Sequence, residues 1–331
     1  MGTLNSWMQE MTGGLGCASL GLMLMAGVSA TPAQACDLCA IYSASQAQGQ
    51  TGAGWLAGVA DQFTHLGTAR TDGHPAANPT GQYLDSAITQ LFVGYNFTDR
   101  FGLQFNLPVI ERTFKRPQGF TIDQGTVAGI GDASLLGNLI GYRKLAEDYT
   151  FDWSVLGGLK FPTGDPGRLQ EEFREVAVPG APPSGIHGHD LTLGTGSVDG
   201  IIGTGVFTRW RRWFATANVE YSLRTPGDFN YQFANDLTWL GGPGVYLALT
   251  HTYSLALQAV VSGENKGKDT FQGAAAEDTA LTAVYLGPEL TFTWRNKLSA
   301  QVGADLPLRV DNSAFQIVPS YRVRASLTWH F

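Results

Sequence analysis

The sequence predicts an all-β protein: a transmembrane antiparallel β-barrel of about twelve strands behind a cleaved signal peptide. Three observations predict it. Segments of about 9 to 11 residues alternate apolar and polar side chains, the pattern of a tilted strand crossing an outer membrane. Only 15% of the 331 residues are charged while 44% are hydrophobic, too few charges for an ordinary soluble surface. Aromatic residues gather near the ends of the alternating segments, where an interfacial girdle belongs. Outside one N-terminal stretch no apolar run is long enough to span as a helix, which excludes a multi-span helical protein. The formal net charge is −7, and without a basic patch nucleic acid is excluded as a partner.

The chain opens on a processing signal. Met11 to Ala35 carries no charge, Leu15 to Val28 forms a short apolar core, and Ala33-Gln34-Ala35 offers the small-x-small pattern of signal peptidase. Cleavage is expected before Cys36, although the n-region has Glu10 and no Lys or Arg, which makes Met8 or Met11 an alternative start. Residues 1–35 therefore read as signal peptide, 36–54 as a periplasmic or lumenal segment, and 55–331 as barrel.

Strands are expected near 55–67, 83–97, 101–111, 129–143, 149–161, 199–209, 213–224, 236–250, 253–264, 279–294, 298–309 and 318–331. The last one alternates most cleanly: Tyr321, Val323, Ala325, Leu327, Trp329 and Phe331 make a face for lipid, and Arg322, Arg324, Ser326, Thr328 and His330 one for a wet lumen. Connections at 98–100, 144–148, 210–212, 251–252 and 295–297 are tight, whereas 162–198 and 265–278 are long and rich in Gly, Pro and Asp. Short periplasmic turns and long outer loops are the habit of outer-membrane barrels. Tyr95, Phe97, Phe101, Trp153, Trp213, Trp294 and Trp329 fall near the short turns. A last strand ending in an aromatic residue resembles the signal read by the bacterial outer-membrane assembly machinery, and Phe331 fits it.

The polar faces carry five acids, Asp132, Asp152, Glu220, Glu289 and Asp305, and four bases, Lys160, Arg224, Arg322 and Arg324. Neither sign dominates, so a pore made selective by one ring of charge is not expected. Charges inside a wall must pair or be hydrated, and mixed signs imply a crosslinked, narrow interior. Twelve strands fall between the roughly eight that side chains fill and the roughly 16 to 18 that leave an aqueous channel. Residues 36–54 are candidates to narrow it further.

Cys36-Asp37-Leu38-Cys39 is open to several readings: a disulfide, a redox or metal-transfer pair, or lipidation of Cys36. Covalent haem attachment is excluded because Ala40 stands where His is needed, and a full zinc site would need two further ligands once Cys17 leaves with the leader. No cofactor is expected. His187-Gly188-His189-Asp190 could meet a divalent metal, yet a Gly-flanked loop makes a poor cage, so a solvated loop is the expectation. Glu171, Glu172 and Glu175 read as a solvated acidic stretch with helical character. A lipid hydrolase would need His65, His251 or His330 beside an activated serine, and no local signature marks such a pair.

Three motifs carry a family resemblance: Gly129-Ile130-Gly131-Asp132, Lys160-Phe161-Pro162-Thr163-Gly164-Asp165, and Leu193-Gly194-Thr195-Gly196-Ser197-Val198-Asp199. In order and spacing they resemble the outer-membrane barrels labelled as transporters of the meta-pathway of phenol degradation, over roughly residues 129–250. The resemblance implies a barrel and passage of small, often hydrophobic compounds. The expected function is then a passive channel in the bacterial outer membrane for small aromatic or otherwise hydrophobic molecules, not an enzyme. Phe92 and Tyr285 would supply contact, and Glu220, Arg224, Arg322 and Arg324 the constriction. Expected partners are outer-membrane lipid, the assembly machinery and a small solute. The alternative is a sleeve or dock for a periplasmic redox or metal-handling protein that meets Cys36 and Cys39.

Overall fold

A computed structural model describes residues 53–174, 178–295 and 297–331. The leader, Cys36, Cys39 and Glu175 lie outside the described residues. Twelve long strands form the wall: β1 (Gly54–Thr71), β2 (Tyr83–Asn96), β3 (Phe101–Gln118), β4 (Ser134–Leu145), β5 (Tyr149–Lys160), β6 (Asp199–Trp210), β7 (Trp213–Leu223), β8 (Asp236–Leu249), β9 (Tyr253–Lys266), β10 (Leu281–Trp294), β11 (Leu298–Asn312) and β12 (Phe315–His330). Each pairs antiparallel with its sequence neighbour, and β12 closes on β1 from Leu56↔His330 to Thr71↔Phe315. Closure matters physically, because an unpaired strand edge inside lipid would strand its backbone donors and acceptors. Among the described residues no helix is long and apolar enough to cross a membrane; the strands make the crossing.

The period-two pattern sets which face meets lipid. Leu91, Val93, Leu103, Phe105, Leu135, Leu139, Val302 and Leu327 are exposed on the outside, while their neighbours Phe92, Gln104, Leu136, Gln301 and Arg324 are buried inside. Trp55, Tyr95, Phe97, Phe101, Trp210, Trp213 and Trp329 are exposed beside the short turns and make the girdle. Trp55 and Tyr95 meet edge to face at 5.0 Å, and Phe97 stacks on Phe101 at 5.7 Å.

The structure departs from the expected elements where charge runs along both faces. β3 continues to Gln118 rather than stopping near 111. Arg112 and Arg116 turn into the buried interior there, and Glu111 and Lys115 turn outward. The expected strand 129–143 is two segments. A strand Thr121–Ile130 pairs with the outer half of β3 and β4 with its inner half, and the ladder is interrupted at Gly131, Asp132 and Ala133. The outer connections are also not uniformly long: residues 313–314 make a tight turn with Ala314 at φ 50°.

The long 161–198 connection folds back against the barrel instead of standing in solvent. Ile186 and Leu191 are buried with Ala69, Leu84, Phe114 and Ile317 of the wall. Leu193 joins Leu56, Ala60, Ile88, Phe92 and Ile110. Within the loop Gly167–Phe173 winds as a 3-10 helix and Gly188–Leu191 as one helical turn.

Candidate functional site: the lumen and the loop that enters it

The three resemblance motifs, far apart in the chain, meet in one buried cluster. Asp132, leaving the ladder at the interruption, accepts hydrogen bonds from the backbone N–H of Gly164 and of Thr195, both at 2.9 Å. Lys160, last residue of β5, reaches Asp132 at 2.6 Å and Asp199 at 2.9 Å, and also donates to the Thr195 hydroxyl. Thr163 bridges the same break, accepting from the Ala133 N–H and donating to the Gly131 carbonyl, each at 2.8 Å. Gly164 and Gly194 lie back to back: a Cβ on Gly164 would fall 2.4 Å from the Leu193 carbonyl oxygen. Arg224 extends the cluster to Asp199 and Asp236, both at 3.0 Å. Pro-Thr-Gly-Asp and its partners are thus the anchor that holds the 161–198 loop to the wall.

The nine charged residues expected on the lumenal faces are all buried, in separate groups. Lys160, Asp132 and Arg224 belong to the loop anchor. Arg324 grips Asp305 with two bonds of 2.8 and 3.0 Å and reaches Glu289 at 3.1 Å. Arg322 pairs with Glu264 at 3.2 Å and lies 4.3 Å over the ring of Tyr285, whose hydroxyl donates to Glu264 at 2.9 Å. Asp152 sits at the short-turn end, held by Arg143 through bonds of 2.8 and 3.1 Å. Glu220 keeps its Oε1 buried without a hydrogen-bond partner. Glu220, Arg224, Arg322 and Arg324 are therefore not one mutual network.

Several partners escaped the sequence reading. Asp199, Asp236, Glu264 and Arg143 sit at strand ends, where a charge looks like turn chemistry. The available signal was parity: Glu264 and Asp236 keep the inward phase of Gln258 and Thr238 on their own strands.

Next to the charged strands β9–β12, since β12 pairs with β1, the inner faces of β1–β3 mix apolar side chains with the buried Gln62, Gln90, Gln104 and Asn106. Leu56, Ala60, Ile88, Phe92 and Ile110 form one packed apolar cluster on β1–β3 with Leu193 of the loop, and Leu136, Leu156 and Ile201 form a separate one over β4–β6. Two separate cavities lie toward the ends of the barrel. At the short turns a vestibule of about 380 Å³ is lined by Leu56, Phe92 and Phe207 together with Arg143, Arg209 and Arg295. At the loop end a cavity of about 110 Å³ is bounded by Arg112, His189, Glu264 and Lys266. The Arg324–Glu289–Asp305 group and Gln301 lie on strand positions between them.

The two histidines of the long loop are not solvated. His187 and His189 stack with centroids 5.6 Å apart; His187 meets Asp278 at 3.1 Å and His189 meets Glu172 at 2.9 Å. Burial alone would depress His189, but Asp190, Glu172 and Asp278 outweigh it and push its pKa up to about 10. Burial likewise opposes ionisation of Glu172, yet the hydrogen bond to His189 brings it down to about 2. Glu171 is equally engaged, with Arg116 at 2.6 Å. Of the histidines considered for hydrolysis, His65 faces outward against Asp85 at 2.6 Å, and His251 and His330 line the vestibule. Among the described residues none of the three hydrogen-bonds a serine, and no group of three His, Cys, Asp or Glu is arranged to hold a metal ion.

No protein-family model and no curated protein sequence matches the chain. Among solved structures it is similar to an outer membrane channel from Pseudomonas putida F1, with TM-score 0.59 and 18% identity over 85% of this chain and 96% of that one. The beta domain of a Bordetella autotransporter follows at TM-score 0.43 and 10% identity, covering 85% of this chain and 100% of that one. The first likeness is one of fold. Together with the closed wall, the apolar exterior and the aromatic girdle it gives the chain the fold of a bacterial outer-membrane β-barrel.

Proposed function

We propose that the chain is a passive outer-membrane channel for small hydrophobic molecules, aromatic ones included, and not an enzyme. The observation that carries this reading is an apolar vestibule surface beside charges that are paired among themselves. Leu56 and Phe92, the vestibule end of a cluster whose Ile88 and Ile110 pack with Leu193, offer an apolar solute a surface on which to shed water, a gain of about 25 cal/mol for each Å² covered. The charged side formed by β9–β12 is paired within itself, with Arg324 on Asp305 and Glu289 and Arg322 on Glu264. Such pairs brace the wall and leave little net field to select an ion. The resemblance to phenol-pathway transporters points the same way, since its three motifs build the anchor of the loop whose Leu193 joins that cluster.

The test is uptake of toluene and of a hydrophilic sugar into proteoliposomes, beside single-channel conductance, for the native chain and for Arg322→Ala with Arg324→Ala. Preference for toluene, and a changed conductance in the double variant, are expected. Equal passage of both solutes, or a double variant indistinguishable from native, would remove the reading.

A further inference from the structure

We infer that the vestibule at the short-turn end is a binding site for an aromatic carboxylate; this takes the lumen as the solute path proposed above and assigns a substrate class to it. The short turns mark the periplasmic end of an outer-membrane barrel, so the site lies where a solute leaves.

Charge is the first observation. Three arginines, Arg143, Arg209 and Arg295, line the vestibule against one carboxylate, Asp152. Asp152 is already neutralised by the two-point grip of Arg143. Arg209 donates to the carbonyl oxygens of Arg211 and Glu147 at 3.1 and 3.4 Å and to the Thr150 hydroxyl at 3.4 Å. Among the described residues no carboxylate pairs with Arg209, nor with Arg295, whose guanidinium lies 5.1 Å over the Trp294 ring. Two guanidinium groups therefore face a cavity with no anion among the described residues to answer them. A guanidinium is built to take a carboxylate in a fork of parallel hydrogen bonds.

The second observation is the surface beside Arg209. Phe207 stacks on Phe214 at 6.2 Å and Phe214 meets Tyr246 at 5.1 Å, and Phe207 and Tyr246 both line the vestibule. Arg209 is cross-strand neighbour to Phe214. Across the cavity Phe92 and Leu56 complete an apolar floor. A planar ring can lie against these faces while its carboxylate reaches Arg209 or Arg295. The volume of about 380 Å³ is within the range of small-molecule sites, about 300 to 1,000 Å³. Burying a ring without its charge would leave the two arginines unanswered, so the geometry separates an aromatic acid from the matching alcohol.

The experiment uses the full chain in lipid nanodiscs and two probes of equal size, benzoate and benzyl alcohol, with binding read by equilibrium dialysis at low salt. Benzoate should bind about tenfold tighter, the effect of one charge-assisted contact, and the preference should fall with added salt. Arg209→Met with Arg295→Met should bring the ratio to about one, whereas Arg212→Met, in the adjacent turn and outside the vestibule, should keep it. Equal binding of the two probes to the native chain overturns the inference, as does loss of the preference in Arg212→Met. A second reading needs no variant: benzoate added on the periplasmic side of a planar bilayer should block current at lower concentration than on the outer side, and symmetrical block overturns the assignment. Benzyl alcohol uptake into liposomes separates the two proposals. If uptake fails while arginine-dependent benzoate binding holds, the channel falls and the site stands; if uptake succeeds without a benzoate preference, the site alone falls.

Discussion

Lys160→Met tests whether the loop anchor is an energetic centre or mere packing. Lys160 is buried at the end of β5 and shared by Asp132 and Asp199 at 2.6 and 2.9 Å. Methionine keeps much of the volume and removes the charge. Breaking a buried pair from one side costs about 3 to 5 kcal/mol. Here the lower end applies, because both carboxylates keep other donors: Asp132 the N–H groups of Gly164 and Thr195, and Asp199 the Arg224 guanidinium and the Thr225 N–H. A loss of about 3 kcal/mol is therefore expected, measured as urea unfolding of the barrel in lipid vesicles. The loop should also become cleavable by added protease before the wall unfolds. Asp132→Asn alone should cost less, and the double variant should be more stable than the sum of the singles by about 1 to 3 kcal/mol, since no unpaired carboxylate then remains. Strict additivity, or a Lys160→Met loss below about 1 kcal/mol, would refute the anchor as an electrostatic device.

Three further outcomes follow from the same structure. His189, raised to about 10, contributes loop stability that is complete below its ordinary value near 6.5 and lost as pH rises through 10. Glu172, lowered to about 2, contributes above its ordinary value near 4.5 and loses it as pH falls through 2. Protease protection of the loop should thus be greatest between about pH 4.5 and 6.5 and decline toward pH 10, and protection that rises between pH 7 and 10 would contradict it. Gly164→Ala should loosen the loop by about 1 to 3 kcal/mol, since the new Cβ meets the Leu193 carbonyl at 2.4 Å; unchanged proteolysis would show that the two turns can separate freely. Deleting residues 36–54 should raise single-channel conductance if that segment narrows the lumen, and an unchanged current would discard that expectation.

The fold was legible because closure in lipid forces a strict alternation on every strand. Trp213 to Leu223 and Leu298 to Leu306 show it residue by residue, with odd and even positions parting to lipid and interior as expected. What alternation does not encode is where a strand leaves the membrane. Past Val109 charges appear on both faces of β3, Glu111 and Lys115 on one and Arg112 and Arg116 on the other, and the strand reads as loop although it continues to Gln118. The loop anchor was visible as three motifs and invisible as a site. Generic turn residues such as Pro162-Thr163-Gly164-Asp165 carry no record of the Asp132 side chain that receives their N–H groups. His187 and His189 misled for a related reason: a Gly-flanked, polar run looks solvated unless the carboxylates of Glu172, earlier in the same loop, and Asp278, from another outer segment, are known to face it.

Apart from Phe92, the apolar cluster of the inner wall was hidden by the rule that found the barrel. Alternation assigns polar residues inward, yet β2 runs Ile88-Thr89-Gln90-Leu91-Phe92-Val93, with Ile88 and Phe92 inside and Thr89 on the lipid side. Thr89 tolerates that side because its hydroxyl donates to Asp61 at 2.6 Å on the neighbouring strand, so two polar groups satisfy each other at the wall's outer face. The exchange has a cost, since a carboxylate and a hydroxyl stand where aliphatic side chains pack best. It is offset inside, where Ile88, Phe92 and Ile110 gather into one cluster that a polar lumen would not need for bracing. A barrel that only had to stay closed could fill this side with more pairs like Arg324 and Asp305. Leu56 and Phe92, where that cluster meets the vestibule, make physical sense as a surface on which a solute, rather than water, is meant to lie.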